Sequence, residues 1–175
     1  FSLIIIHPIR FERRPYRPVV RHGQRVGPVG VRLRDRSKSP STIALGRIIR
    51  YQYTWPELRD LVEIQPAVVL PVGSTEDHGH HLPLDVDTFV AESICQAAAE
   101  LIPDEVLVLP ALPYGFEDHH MDFPGTITIH DDHMLDFVVD ITTSVAHHGF
   151  RKILIVNGHG SNAPILELAA RRTVT

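Results

Sequence analysis

One cysteine, one tryptophan and two methionines stand among 175 residues, and the scarcities close off whole classes of protein. Cys95 has no partner for an internal disulfide, so the chain is not a stapled secreted scaffold; a reducing, cytoplasmic setting is expected. Apolar runs such as residues 3–6 and 153–156 reach four residues, against the roughly 20 that a membrane-spanning helix needs, so no membrane partner is expected. Residues 73–126 contain neither Lys nor Arg, which argues against a phosphoester held by charge-assisted hydrogen bonds. The chain has no G-x-S-x-G turn for a serine nucleophile, and Cys95 falls on the apolar face of a helical pattern. The turn NGHGSN (157–162) lacks both the G-K-[ST] ending of a phosphate loop and the G-x-G-x-x-G spacing of a dinucleotide site.

What is present is unevenly spread. Residues 1–50 hold 12 of the 17 basic residues and only two acids, Glu12 and Asp35, whereas residues 51–175 hold five bases, 19 acids and ten of the 12 histidines. The first part is interrupted by Gly and Pro and keeps neither a helical nor a strand period. It reads as a basic extension, disordered and outside the domain, in preference to a nucleic-acid arm or a transit peptide. No nucleic-acid partner is expected. The chain opens on Phe1 and its last apolar helix still runs at Thr175, so residues 51–175 read as the N-terminal part of a longer domain.

Those residues alternate between strand and helix signals. Ala67–Val72 (AVVLPV) reads as a buried strand, residues 107–112 as a second, 126–129 as a short third and 152–156 as a fourth. Between them, residues 88–102 place Val90, Ala91, Ile94, Cys95, Ala98 and Ile102 on one helical face, with Pro103 as the stop. Asp131 and Asp132 open a long helix at its positive dipole end, with Leu135, Val138, Val139, Val145 and Ala146 inward and Gly149 at the C-terminal cap. A further helix starts near Ser161 or Asn162. This alternation predicts an α/β fold, helices packed against a mostly parallel central sheet.

In such sheets ligands bind beyond the carboxyl ends of the strands. Three histidine- and glycine-bearing loops fall there: GSTEDHGHHLPLDVD (73–87), PYGFEDHHMDFPGT (113–126) and NGHGSN. Glu76 and His78, at i and i+2 of an extended segment, point to the same side and deliver an oxygen and a nitrogen to one place. Asp87 opens the next helix and has two oxygens to share; His159 arrives from another strand. Any one of these reads as an ordinary polar loop residue, but four after strand ends point to a divalent transition metal.

The segments PVGSTEDHGHHLPLDVD, PYGFEDHHMDFPGTITI and GFRKILIVNGHGSN resemble, in order, the motifs of the creatininase (creatinine amidohydrolase) family, over about residues 54–175. The resemblance implies a three-layer α/β/α domain, a homo-oligomer that is often a hexamer, and two divalent ions, Zn or Mn. It implies hydrolysis of a non-peptide carbon–nitrogen bond in a small-molecule amide, cyclic amide or formamide. Glu76 and His78 are then ligands of different ions, Asp87 bridges both, and His159 joins the ion of Glu76. His120 matches a histidine of a loop that approaches substrate, a solvated loop histidine being the alternative. The family's fifth ligand is a glutamate; Ser161 stands where creatinine amidohydrolases proper carry it, which argues against creatinine as substrate. The fifth ligand and the general acid are expected beyond Thr175. His81 reads as a loop-holding residue, and Asp118, Asp122, His119 and His133 as solvated. The alternatives are a two-metal lactone or phosphoester hydrolase, or a metal-binding remnant without turnover.

Overall fold

β-branched runs bounded by Pro and Gly become four strands of one sheet. The computed structural model describes residues 2–6, 53–103 and 105–174. Within them the order is β1 (Ser2–Ile6), α1 (Trp55–Ile64), β2 (Ala67–Val72), α2 (Val86–Leu101), β3 (Val106–Val108), α3 (Asp131–His147), β4 (Ile153–Asn157) and α4 (Ala163–Val174). The sheet order is β1-β4-β2-β3. β2 runs parallel to β3 and β4, and β1 lies antiparallel on β4. The fold is the expected α/β one with a mostly parallel sheet.

β2 is covered on both faces, which is why its sequence is continuously apolar and does not alternate. Val68, Leu70 and Val72 look to one side, where α1 brings Leu61, α3 brings Met134, Leu135 and Val138, and α4 brings Leu166 and Ala169. Val69 looks to the other side with Val106, Val108 and Val156, beneath Cys95 and Ala99 of α2. The result is three layers. Burial pushes the Cys95 thiol up to about 11, so it packs as a small apolar group.

Several expected boundaries move, each for a local reason. The second strand stops at Val108 because Pro110 and Pro113 have no N–H for a ladder; contact with β2 resumes only as a bridge from Leu112 to Val72. The third expected strand, 126–129, is reduced to isolated bridges, Ile127 to Thr75 and Thr128 to Gly115. α2 begins two residues earlier than expected, and its inner row is Asp87, Ala91, Cys95 and Ala99. Ile94 and Ala98, expected inside, are exposed; a row of small side chains lets the helix lie close to the sheet. Gly149 follows α3 at φ +108, the left-handed cap expected of it. α1 had no counterpart in the sequence reading. Its entry is fixed by Glu57, whose Oε2 accepts from the Thr54 N–H (2.7 Å) and hydroxyl (2.8 Å).

The expectation that residues 1–50 stand wholly outside the domain is corrected for Ser2–Ile6. This segment pairs along β4 from Ser2–Asn157 to Ile6–Ile153, and Ile6 enters the core beside α3 and α4. Residues 2–6 supply what an edge strand needs, β-branched side chains and unpaired backbone, which the charge balance of the surrounding residues conceals. Residues 7–50 lie outside the described residues. Among the described residues no helix is long and apolar enough to cross a membrane.

Ile6→Ala is therefore expected to destabilise the protein by about 2–3 kcal/mol, the low end for a buried Ile because the site lies at an edge. Leu3→Ala, at a position 69% exposed, should change stability by less than about 0.5 kcal/mol. Chemical denaturation of both variants checks this; equal, negligible changes would detach β1 from the core.

Candidate metal centre

Where β2 feeds β3 on one side and lies against β4 on the other, the loops after these strands diverge and leave a crevice. The first turn of α2 is wedged into it. A Cβ on Gly73 would collide with Thr88, and one on Gly158 with the Asp87 carbonyl oxygen. Glycine at these two positions thus lets the helix N-terminus sit directly on the turns after β2 and β4, and Asp87 is carried inward. Asn162, fully buried, ties the loops together. Its Nδ2 donates to the Gly73 carbonyl (3.0 Å), and its Oδ1 accepts from the Phe116 N–H (2.9 Å).

The structure brings Glu76, His78, Asp87 and His159 into one cluster. Asp87 divides its two oxygens between two imidazoles: Oδ1 lies 3.2 Å from His78 Nε2 and Oδ2 lies 2.9 Å from His159 Nδ1. Glu76 Oε1 is also 2.9 Å from His159 Nδ1 but 3.8 Å from His78 Nε2. Glu76, Asp87 and His159 are buried. His120 comes to the rim of the same cluster, its Nδ1 3.1 Å from Glu76 Oε2. Asp118 accepts from the Thr128 hydroxyl at 3.0 Å and so pins its loop. His81, Asp122 and His133 are exposed, His133 standing edge-on to His130.

Sequence reasoning missed Glu117. It is fully buried, with Oε2 2.6 Å from His159 Nε2 and Oε1 3.1 and 3.3 Å from His119 Nδ1 and His120 Nδ1. The signal was available: the tripeptide Glu-Asp-His at 76–78 recurs at 117–119, each time after a strand of the parallel sheet. His119, expected to be merely solvated, is 61% exposed in its side chain yet touches Glu117.

Burial dominates the Glu76 carboxyl and, with Glu117 and Asp87 beside it, lifts its pKa from 4.5 to about 8. For His159 burial opposes the charge, but the Asp87 hydrogen bond and the charges of Glu76 and Glu117 prevail and raise it from 6.5 to about 8. Burial also pulls Asp87 upward, yet its bonds to His159 and Glu76 and the nearby imidazoles bring it below 3.8. Acids and imidazoles crowd together, while Arg59, Arg151, Lys152, Arg171 and Arg172 are the only Lys or Arg residues of 51–175. Mixed carboxylate and imidazole donors, buried and short of counter-charge, fit a borderline divalent cation such as Zn or Mn. Two triads, Glu76–His78–Asp87 and Glu76–Glu117–His159, each bring three donor atoms within 4.8 Å of one another.

The creatinine amidohydrolase (Creatininase) family model matches residues 51–175. The chain belongs to the creatininase family. Curated relatives include the mycofactocin precursor peptide peptidase of Mycobacterium tuberculosis, 38% identical over 117 residues, 62% of this chain and 46% of the relative. The creatinine amidohydrolase of Pseudomonas putida is 35% identical over 118 residues, 64% and 45% respectively. Solved structures of creatininase in an Mn form and in a mutant Zn-Zn form superpose at TM-score 0.67 with 31% identity, over 71% of this chain and 50% of theirs. This creatininase-family chain thus spans about half the length of the relatives it matches.

Two expectations follow from the geometry. Gly158→Ala should cost about 1–3 kcal/mol, because α2 must move off the turn, whereas Gly160→Ala, where a Cβ meets nothing within 4 Å, should be nearly neutral. Thermal melts of the two variants decide this; equal effects would remove the wedge. The second concerns pH. Glu76 and His159 hold protons more tightly folded than unfolded, so their stabilisation is complete below about 4.5 and 6.5 and is lost as pH rises toward about 8. Asp87 acts oppositely: its contribution is present above 3.8 and is lost only as pH falls further. Metal-free protein should therefore lose Tm as pH rises from about 4.5 to about 8, most steeply above about 6.5 where both groups contribute, and saturating Zn or Mn should reverse the loss by replacing the protons. A melt series with and without ion tests it; a Tm that rises with pH in chelator contradicts it.

Proposed function

We propose that the chain carries the metal-binding part of a two-metal hydrolase that cleaves a carbon–nitrogen bond, with Glu76, His78, Asp87 and His159 as ligands. The observation that carries this reading is the divided Asp87 carboxylate, one oxygen toward His78 and the other toward His159, the arrangement a bridging ligand needs. Glu76 sits with His159, consistent with the two serving one ion and His78 the other. Divalent ions, when bound, supply acidification of a water and polarisation of a carbonyl.

The chain's own residues do the rest. Glu76 and His159 give up protons to become donors, so a site that is costly to ionise when empty is matched to positive charge. His159 Nε2 lies 3.1 Å from the Phe116 carbonyl; donating there leaves Nδ1 as the coordinating nitrogen. Burial of Glu76, Asp87 and His159 keeps water from screening the centre. His120, at the rim beside Glu76, is the side chain this reading assigns to a substrate polar group.

Amide chemistry is favoured by kinship, and the relative named as a peptide peptidase widens the bond class from non-peptide amides to carbon–nitrogen bonds generally. The absence of Lys and Arg from residues 73–126 favours a substrate without phosphate on that side. A cytoplasmic homo-oligomer, a hexamer by family kinship, completes the proposal, with residues 51–175 as the N-terminal part of the domain. An apolar cleft of about 580 Å³ between α1 and α3 is lined by none of the cluster residues and is not the reaction site.

Asp87→Asn keeps size but removes charge and one good donor oxygen, and two nearby cations repel without a bridging anion. Bound metal should therefore fall by about two ions per chain in Asp87→Asn and by about one in Glu76→Gln or His78→Ala. If Asp87 only serves the dipole of α2 from inside its first turn, the cap position being Asp85, Asp87→Asn costs about 1 kcal/mol or less and metal content stays constant. Elemental analysis after dialysis against Zn or Mn separates the two; unchanged metal in Asp87→Asn overturns the bridging assignment.

A further inference from the structure

Glu117 treats its neighbours as Asp87 does, dividing its oxygens between imidazoles. Oε2 faces His159, while Oε1 faces both His119 and His120. None of these contacts has hydrogen-bond alignment, and neither oxygen has a hydrogen-bond partner among the described residues. A carboxylate buried in this state is costly unless a cation or a proton compensates it, and no Lys or Arg occurs between residues 60 and 150. His159 does not supply the missing bond, since its Nε2 is placed to donate to the Phe116 carbonyl.

The loop is built to hold this side chain inward. The Glu117 N–H donates to Thr128 Oγ1 (2.9 Å), whose hydroxyl donates to Asp118 Oδ1 (3.0 Å), and the preceding Phe116 N–H is held by Asn162. The short 3-10 turn Asp118–His120 then brings the two adjacent imidazoles back over the carboxylate, with ring centroids 4.5 Å apart and planes tilted by 53°. One oxygen and two nitrogens of Glu117, His119 and His120 lie within 4.8 Å of one another. One carboxylate and two imidazoles with a side open to water are a donor set suited to zinc, the fourth position remaining for solvent or substrate.

We infer that Glu117, His119 and His120 form an additional divalent-cation site, of zinc type, at the mouth of the crevice. It uses neither His78 nor Asp87, so it is separable from the two-metal proposal. It also gives the buried Glu117 oxygens the partner that no hydrogen bond among the described residues supplies.

The test is zinc titration of the whole chain, by calorimetry with elemental analysis, on the wild type, His119→Ala and Asp87→Asn. His119 is mostly exposed and outside the proposed catalytic ligands, so its removal should leave the metal-free melting temperature unchanged. The wild type should bind about one more zinc than His119→Ala, or bind that ion at least tenfold more tightly. Asp87→Asn should retain this ion while losing the others. Glu117→Gln should lose this ion, because the amide keeps the shape but not the charge that a zinc ligand needs; a Glu117→Gln variant that binds as much zinc as the wild type also overturns the inference. Equal zinc binding by wild type and His119→Ala overturns the inference and leaves the two-metal reading intact. Loss of every ion in Asp87→Asn would falsify the independence of the site. A wild type that binds no zinc overturns both.

Discussion

Everything near the crevice depends on how closely the first turn of α2 lies against the turns that follow β2 and β4. Two glycines, Gly73 and Gly158, permit that approach because any side chain there would strike Thr88 or the Asp87 carbonyl. Small residues on the same helix, Ala91, Cys95 and Ala99, continue the close packing along the sheet. A carboxylate in the first turn is stabilised by the helix dipole, so the fold can afford to carry Asp87 into a largely buried place between two histidines. The geometry of the site follows from backbone contact and not from long flexible side chains.

That closeness creates an electrostatic problem within the protein itself. Glu76, Asp87 and Glu117 converge with His159 where Lys and Arg are absent. The raised values of Glu76 and His159, each about 8, show how the metal-free chain resolves it: protons stay on groups that water would ionise or neutralise. Each proton so held occupies a lone pair that a metal would use. Stability and metal affinity are therefore opposed functions of pH, and a divalent ion supplies by charge what the protons supply by neutralisation.

Much of this was legible in the sequence where a residue's role is fixed by its own neighbours. β2 declared itself by AVVLPV between Pro66 and Gly73, and α3 by two aspartates before an apolar face and a glycine after it. Glu76, His78 and His159 follow strand ends and Asp87 opens the helix after one, so strand order in a parallel sheet already points them to one edge. Glu117 was not legible in that way. Its burial depends on Thr128 and Asn162, which are distant in sequence, and on proline ending β3 early enough for the loop to fold back. β1 was hidden for a different reason: regional charge and turn content masked five residues whose pattern matters only once the edge of β4 is there to receive them.

Family membership constrains the chemistry, and the local residues then decide how charge is balanced. Ser161 follows the NGHG turn and adds no charge there, so the described part of the site draws its negative charge from the loops after β2 and β3. In the proposed two-ion centre, four positive charges would meet only the two negative ones of Glu76 and Asp87. Glu117, already against His159, is the nearest further anion described, and its other oxygen faces His119 and His120. A carboxylate placed so is shared between the centre and the rim, and any cation at the rim would draw charge away from the centre. The reach of the positive field toward a substrate carbonyl would then depend on this one side chain, through charge distribution and without any contact with the substrate.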